Sequence, residues 1–439
     1  FEAWNSPPGR EVEYRNNDFS NETRLALKMA PYLNGELFKR KTGYDNLDLY
    51  IPDQTIGEFF DFLFQFNFTV EENTRYDEDL ELNPEFLGII FERLVNKKDG
   101  AVYTPRTEVD FMCRIALVKW LQKISSCNTR DLYYLFFREM GNGSEFEDYQ
   151  KEGDFSRKEL EELIGLLKNI STCDPASGSG AFPVGMMQVL NEILTNLQSR
   201  EKTPDHLRNE DDFDRKKAII ANSLYGVEVK RWAVWINQLR LWLSLFVDIP
   251  AERDSEFRYS PLPLLPNLDF KIRQGDSLVQ RIGNKLFPVQ GHANIQSATM
   301  KAQITALKKA KIEFFYNRGG NHHEIRKRES DIFKAIINEQ IDEKRKELTR
   351  LSHQPDAEQT SMFADPSPKQ TNLNLYKDQI EQLEKEIESL REERAAFKEE
   401  HPLIWNIEFA EIFYDRGGFD IIIGNPPYVR QEDIADPEG

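Results

Sequence analysis

At 439 residues the chain is long enough for two or three domains with cores of their own. Its net charge of −18 argues against nucleic-acid binding by bulk charge, though local phosphate contacts stay open. No stretch approaches the roughly twenty consecutive apolar residues of a membrane span. Cys113, Cys127 and Cys173 are odd in number and widely spaced, so they read as thiols of a reducing cytoplasm rather than a disulfide framework. The six histidines include the pair His322-His323 but no metal-binding spacing, so no metal site is expected. The chain starts at Phe1 without a basic-then-apolar leader, and both ends read as fragment boundaries.

Charge is uneven: the first hundred residues are acidic, whereas residues 301–350 carry an excess of Lys and Arg. Leu25–Leu33 and Ile56–Phe66 have helical or compact apolar spacing, and the acidic piece Glu71–Glu81 reads as a solvated loop. The aromatic cluster Phe59, Phe60, Phe62, Phe64 and Phe66 reads as core. Leu87–Leu94 reads as an amphipathic helix. It is followed by Tyr103-Thr104-Pro105, in which Thr104 is expected to cap a helix through Val109–Leu121 with Pro105 at its first position. Leu132–Phe137 and Lys158–Leu167 read as helices, with a polar connector from Gly141 to Asp154 between them.

Ile170-Ser-Thr-Cys-Asp-Pro-Ala-Ser-Gly-Ser-Gly-Ala-Phe182 is a strand, a small-residue loop and the start of a helix that runs to Gln198. That is the opening unit of a nucleotide-binding α/β fold. Gly178 and Gly180 allow a ligand to approach the backbone, and Asp174 stands at the carboxyl end of its strand. No Lys-Ser/Thr pair follows the glycines, which excludes a phosphate loop, and the acid suits a neutral or cationic nucleoside. Residues 199–215 read as a charged, irregular surface excursion. Ile219–Glu228 then gives helix, turn and strand, with Glu228 placed to hold ribose hydroxyls. Pro204-Asp205 with Glu228-Val229-Lys230 mimics the acids and lysine of a metal-dependent nuclease, but the ribose reading of Glu228 is preferred. Arg231–Phe246 is an amphipathic helix rich in Trp and Leu. Phe270–Leu278 is a further strand ending in an acid, and Asp276 reads equally well as an acceptor for an adenine amino group or as an Asp-Ser turn that caps a helix.

Residues 295–400 interrupt this alternation. Ile332, Phe333, Ile336, Ile337 and Ile341 mark one helix, and Ile380, Leu383, Ile387 and Leu390 mark another. The two predict a helical hairpin with a polar linker from about His353 to Asn372. Its basic first half offers DNA-phosphate contacts, although a solvated face accounts for most of those charges. The chain returns through Ile404–Phe413 to Asp420–Ile423, a β-branched run of the kind that fills the centre of a parallel sheet. Gly424-Asn425-Pro426-Pro427-Tyr428 follows. Two prolines remove two amide donors, so carbonyl oxygens project from the loop without competition. Asn425 adds an acceptor and Tyr428 a flat apolar face. Together they form a receptor for an exocyclic amino group on a planar ring that has left its stack.

These motifs together resemble the amino-methylating, S-adenosylmethionine-dependent DNA methyltransferases in the gamma-class order, cofactor motifs first. The likeness is greatest to large methylases of type IIG and related restriction–modification or phage-defence systems. It runs from about Leu87 to Val429 and rests on Asp-Pro-Ala-Ser-Gly-Ser-Gly-Ala-Phe paired with Gly-Asn-Pro-Pro-Tyr-Val. The resemblance implies an α/β, Rossmann-like methyltransferase sheet with a helical N-terminal domain and a helical-hairpin insertion. The boundaries fall at 1–150, 151–294, 295–403 and 404–439.

By resemblance, Tyr103, Thr104 and Pro105 border the methionine end of the cofactor, and Asp174, Ala176, Gly178 and Gly180 cradle methionine and ribose. Glu228 binds the ribose, Asp276 reads the cofactor adenine, and Leu278 flanks it. Asn425 and Pro426, with Pro427 shaping the loop, hold the target amine while Tyr428 stacks on a base flipped from double-stranded DNA. Methyl transfer to adenine N6 is then a direct displacement, without metal or covalent enzyme intermediate, in a prokaryotic cytoplasm. Further strands and a target-recognition domain or partner subunit are expected outside the chain. The competing readings are an RNA or protein-glutamine methyltransferase, and a non-catalytic DNA-binding or assembly subunit that keeps the fold.

Overall fold

A computed structural model describes residues 20–22, 51–63, 89, 104–137, 153–208, 210–249, 263–278, 281–282, 285–286, 298–352, 369–396 and 403–427. Tyr103, Tyr428, Leu25–Leu33, Glu71–Glu81, most of Leu87–Leu94 and most of the Gly141–Asp154 connector lie outside them. The described residues fall into two units. One is drawn from Phe1–Ser277, Ile312–Gly319 and Phe419–Gly439, the other from Leu278–Lys311 and Gly320–Gly418.

In the first unit, helix α1 (Asp53–Leu63) corrects one expectation. Phe59, Phe60 and Phe62 are about half exposed rather than core, because every described position of this helix with an assigned exposure faces solvent. Phe64 and Phe66 lie outside the described residues. Helices α2 (Arg106–Ile124), α3 (Thr129–Phe137) and α4 (Arg157–Asn169) follow. A reciprocal capping box starts α4: the Ser156 hydroxyl accepts from the Glu159 amide, and the Glu159 carboxylate accepts from the Ser156 amide at 2.8 Å. Strand β1 (Thr172–Asp174) is fully buried. After it come α5 (Ala181–Ser199), α6 (Asp212–Ser223), β2 (Leu224–Glu228), α7 (Arg231–Phe246) and β3 (Ile272–Gln274). Helix α6 passes into β2 without the expected turn.

The 199–215 excursion is more ordered than its charge suggests. Arg215 is buried, and its guanidinium donates to Asn191, Gln198 and the Glu210 carbonyl. Asp205 lies in a short 3-10 turn with its side chain in solvent beside Arg208.

The second unit contains the hairpin β4 (Arg281–Ile282) and β5 (Lys285–Leu286), most of α8 (Ala298–Phe315), α9 (His322–Ser352), α10 (Lys369–Ala396), α11 (Trp405–Glu408) and α12 (Ala410–Arg416). Phe333, Ile337 and Ile341 of α9 pack with Ile387 and Leu390 of α10 and with Ile404 and Ile407, as the apolar stripe predicts. Lys344 pairs with Glu386 at 2.5 Å, and Arg394 donates to Asn338 at 2.6 Å, along the same helix pair. Helix α8 was not legible from periodicity. Its Lys311 is buried among carboxylates, 3.0 Å from Glu329 and 2.6 Å from Glu411.

Strand β6 (Ile421–Ile422) returns the chain to the first unit and completes a four-stranded sheet in the order β3-β2-β1-β6, with every neighbouring pair parallel. Parallel neighbours need long crossovers, and α5–α6, α7 and the second unit supply them. Register is fixed by Cys173 opposite Tyr225 on one side and Ile422 on the other. The Asp420 carboxylate reinforces it by accepting from both the amide and the hydroxyl of Ser171 at 2.8 Å.

Among the described strands, β6 pairs with β1. Ile421 and Ile423 are buried on one face, whereas Ile422 is 69% exposed on the other. Cys113 and Cys173 are buried and Cys127 is half-buried; all three are free. Among the described residues no helix is long and apolar enough to cross a membrane.

Candidate active site

The site begins where β1 runs out. Asp174 is 3% exposed, and its Oδ1 accepts the Ala176 amide at 3.0 Å. The loop then turns through Gly178 (φ +49°) and Gly180 (φ +96°), left-handed conformations that favour glycine. Two bonds to β2 hold the loop down. The Ser177 amide donates to the Val227 carbonyl at 2.9 Å, and the Gly178 amide donates to Glu228 Oε2 at 2.9 Å. Glu228 Oε1 accepts the Lys230 amide at 2.8 Å, so this carboxylate is oriented by two backbone donors. Burial, reinforced by the negative charge of Glu228 and opposed by the Ala176 amide, pushes Asp174 up to about 7.

The Asn-Pro-Pro loop meets the same spot from the neighbouring strand. Gly424 lies so close to Asp174 that a β-carbon there would overlap the carboxylate. Asn425, half-buried, donates from Nδ2 to Thr104 Oγ1 at 2.9 Å across 321 positions of sequence. Pro426 and Pro427 are exposed.

Thr104 is not the helix cap expected from sequence. Helix α2 starts at Arg106 with Pro105 as its extended N-cap residue and no side-chain cap, and the Thr104 hydroxyl is engaged by Asn425 instead. Helix α2 is itself firmly docked. Arg114 is buried and donates to Asp110 at 2.9 Å, to the Phe136 carbonyl at 2.7 Å and to Glu192 of α5 at 3.1 Å. Gly185 of α5 has no room for a side chain beside Val109.

The structure thus gathers Asp174, Ala176, Gly178, Gly180 and Glu228 into one bonded loop, with Gly424 on its flank and Thr104 bonded to Asn425. Asp276 lies two residues beyond β3 and is exposed. Leu278 is 90% exposed and belongs to the second unit. Among the described residues no cluster of His, Cys, Asp and Glu has metal-binding geometry.

Sequence reasoning missed the contribution of α7. Arg240 donates to the Ser179 carbonyl at 3.1 Å, and Asn237 packs on Gly180. The signal was present: Asn237 and Arg240 are polar residues three apart on the buried side of an otherwise Trp- and Leu-rich helix.

Residues 222–438 match the family model described as the Eco57I restriction-modification methylase. A Methanocaldococcus jannaschii protein provisionally named as a type II restriction enzyme and methyltransferase is 30% identical over 469 aligned residues, covering 98% of this chain. The chain spans 36% of that relative's length. The solved structure of the Type IIL restriction-modification enzyme MmeI in complex with DNA aligns with 63% of this chain and 30% of its own. The identity is 17% and the TM-score 0.35. Residues 222–438, which include Glu228, Asp276 and the Asn-Pro-Pro-Tyr loop, are thus similar to the Eco57I restriction-modification methylases.

Proposed function

We propose that this chain is the cofactor-binding and amino-methylating part of a restriction–modification DNA methyltransferase. It uses S-adenosylmethionine, acts on adenine N6, and is built on a Rossmann-like sheet. One observation carries the reading. The glycine loop and the Asn-Pro-Pro loop, some 250 residues apart in sequence, stand at the carboxyl ends of adjacent parallel strands, with Gly424 pressed against Asp174. Ligand sites of open parallel sheets lie at such strand ends.

The residues fit the cofactor by their chemistry. Two carboxylates and a loop opened by left-handed glycines favour hydroxyls and a cationic amine and disfavour phosphate. Glu228 keeps lone pairs for ribose hydroxyls beyond its two backbone bonds. Asp174 faces the cationic methionine end, bordered by Tyr103, Thr104 and Pro105. Asp276 takes the adenine amino group. When bound, the cofactor supplies an electrophilic methyl group.

The chain's own residues prepare the acceptor. The Asn425 Oδ1 and the Pro426 carbonyl accept the two hydrogens of the exocyclic amine, which directs its lone pair outward from them. Thr104 holds Asn425 Nδ2 and so leaves Oδ1 facing the substrate. Tyr428 stacks on the flipped base. Sequence recognition lies in segments or subunits other than these motifs.

Nucleoside analysis of DNA from cells expressing the full-length protein, or its Asn425→Ala variant, tests this reading. N6-methyladenine that vanishes in the variant is expected. N4-methylcytosine would redirect the target, and unmodified DNA despite cofactor binding would point to a non-catalytic subunit.

A further inference from the structure

The side chain of Asn237 is completely buried on α7, and both polar atoms of its amide, Oδ1 and Nδ2, have no hydrogen-bond partner among the described residues. Buried amides are nearly always paired, so an unpaired donor and acceptor on one side chain calls for a use. Its position supplies one. Gly180, the last residue of the glycine loop, passes so close that an added β-carbon would stand 2.5 Å from Asn237 Oδ1. One helical turn on, Arg240 holds the Ser179 carbonyl of the same loop. Within the loop, the Ser177 hydroxyl is also buried and unpaired. Two side chains with unpaired polar atoms, Asn237 behind Gly180 and Ser177 within the loop, therefore meet at this loop.

We propose that Asn237 is a positioning residue for the cofactor. Its amide bonds the Ser177–Gly180 loop in the ligand-bound arrangement and sets the loop's height above Asp174 and Glu228. An apolar residue of the same size would fill this place with less penalty in the free chain. The amide is kept because the bound loop uses it. This rests on the cofactor reading above and deepens it by adding a residue on the helix behind the loop.

The test is calorimetric titration of S-adenosylmethionine into the wild-type chain, Asn237→Leu and Asn237→Ala, with thermal unfolding of each free protein. Leucine keeps the branched outline of asparagine and removes both unpaired groups, although its methyl groups are bulkier than the amide. The relief of the unpaired groups offsets the added bulk, so the free Asn237→Leu protein is expected to melt close to the wild-type temperature, yet to bind the cofactor about tenfold more weakly, the equivalent of one hydrogen bond. A purely structural role would not weaken binding while leaving stability in place. Asn237→Ala should also lose affinity, together with stability. Wild-type binding that Asn237→Leu matches overturns this inference alone. A folded wild-type chain that binds no cofactor overturns the proposed function, and this inference with it.

Discussion

Replacing Asp174 by Asn should make the free chain more stable at neutral pH while abolishing cofactor binding. Asn preserves the shape and still accepts the Ala176 amide, but it carries no charge. Asp174 is lifted from its ordinary 3.8 to about 7, mainly by burial. An acid whose folded-state value is raised holds its proton longer in the folded chain than in the unfolded one. Stability is therefore complete below about pH 4 and falls as pH rises toward 7. The penalty of holding the ionised form has a ceiling of about 4 kcal/mol, at roughly 1.4 kcal/mol per tenfold change in proton affinity. The Asn amide brings N–H donors of its own, so a gain of roughly 2 kcal/mol above pH 7.5 is the working expectation. Urea unfolding of both proteins from pH 4.5 to 8.5 measures it. The advantage of the variant should be small at the acid end, grow through pH 5–7 and then level. A difference independent of pH, or a variant less stable at pH 8, would refute a buried, destabilising carboxylate at this position.

Other consequences follow from the same geometry. Gly424→Ala places a β-carbon against the Asp174 carboxylate; overpacking of about 1–3 kcal/mol should lower the melting temperature and weaken cofactor binding together. Arg114→Met removes the guanidinium that ties α2 to Glu192 and the Phe136 carbonyl. A loss of about 2–4 kcal/mol in chemical denaturation is expected, less than for a fully buried pair because Glu192 is 42% exposed. Thr104→Val in the full-length protein should cut the methylation rate about tenfold with a smaller loss of cofactor affinity, and Thr104→Ser should restore the rate, because the hydroxyl orients Asn425. If the hydroxyl serves the cofactor alone, affinity and rate would fall by the same factor.

The elements with strong local signals were legible in the sequence. The strand–glycine loop–helix unit from Ile170 to Gln198 and the helices expected through Val109–Leu121 and Lys158–Leu167 appear where apolar spacing puts them, although Thr104 is not the cap of the first. So do the two apolar stripes of the helical hairpin, because each side of a helical period faces one environment. What sequence could not supply was pairing between distant residues. Nothing local says that Thr104 turns from its own helix to Asn425, or that Gly424 is glycine because Asp174 occupies the space beside it. The phenylalanines of α1 misled, since aromatic content alone does not show that anything covers it. The unpaired amide of Asn237 is visible only once Gly180 is seen beside it.

The central claim is that the loop from Asp174 to Gly180, tied to Glu228, is a binding site for S-adenosylmethionine. Calorimetric titration of the wild-type chain and an Asp174→Ala variant, both shown to be folded by circular dichroism, tests it most directly. Saturable one-to-one binding by the wild type that the variant loses is the predicted result. A folded wild-type chain that takes up no cofactor, or a variant that binds as well as the wild type, would contradict it.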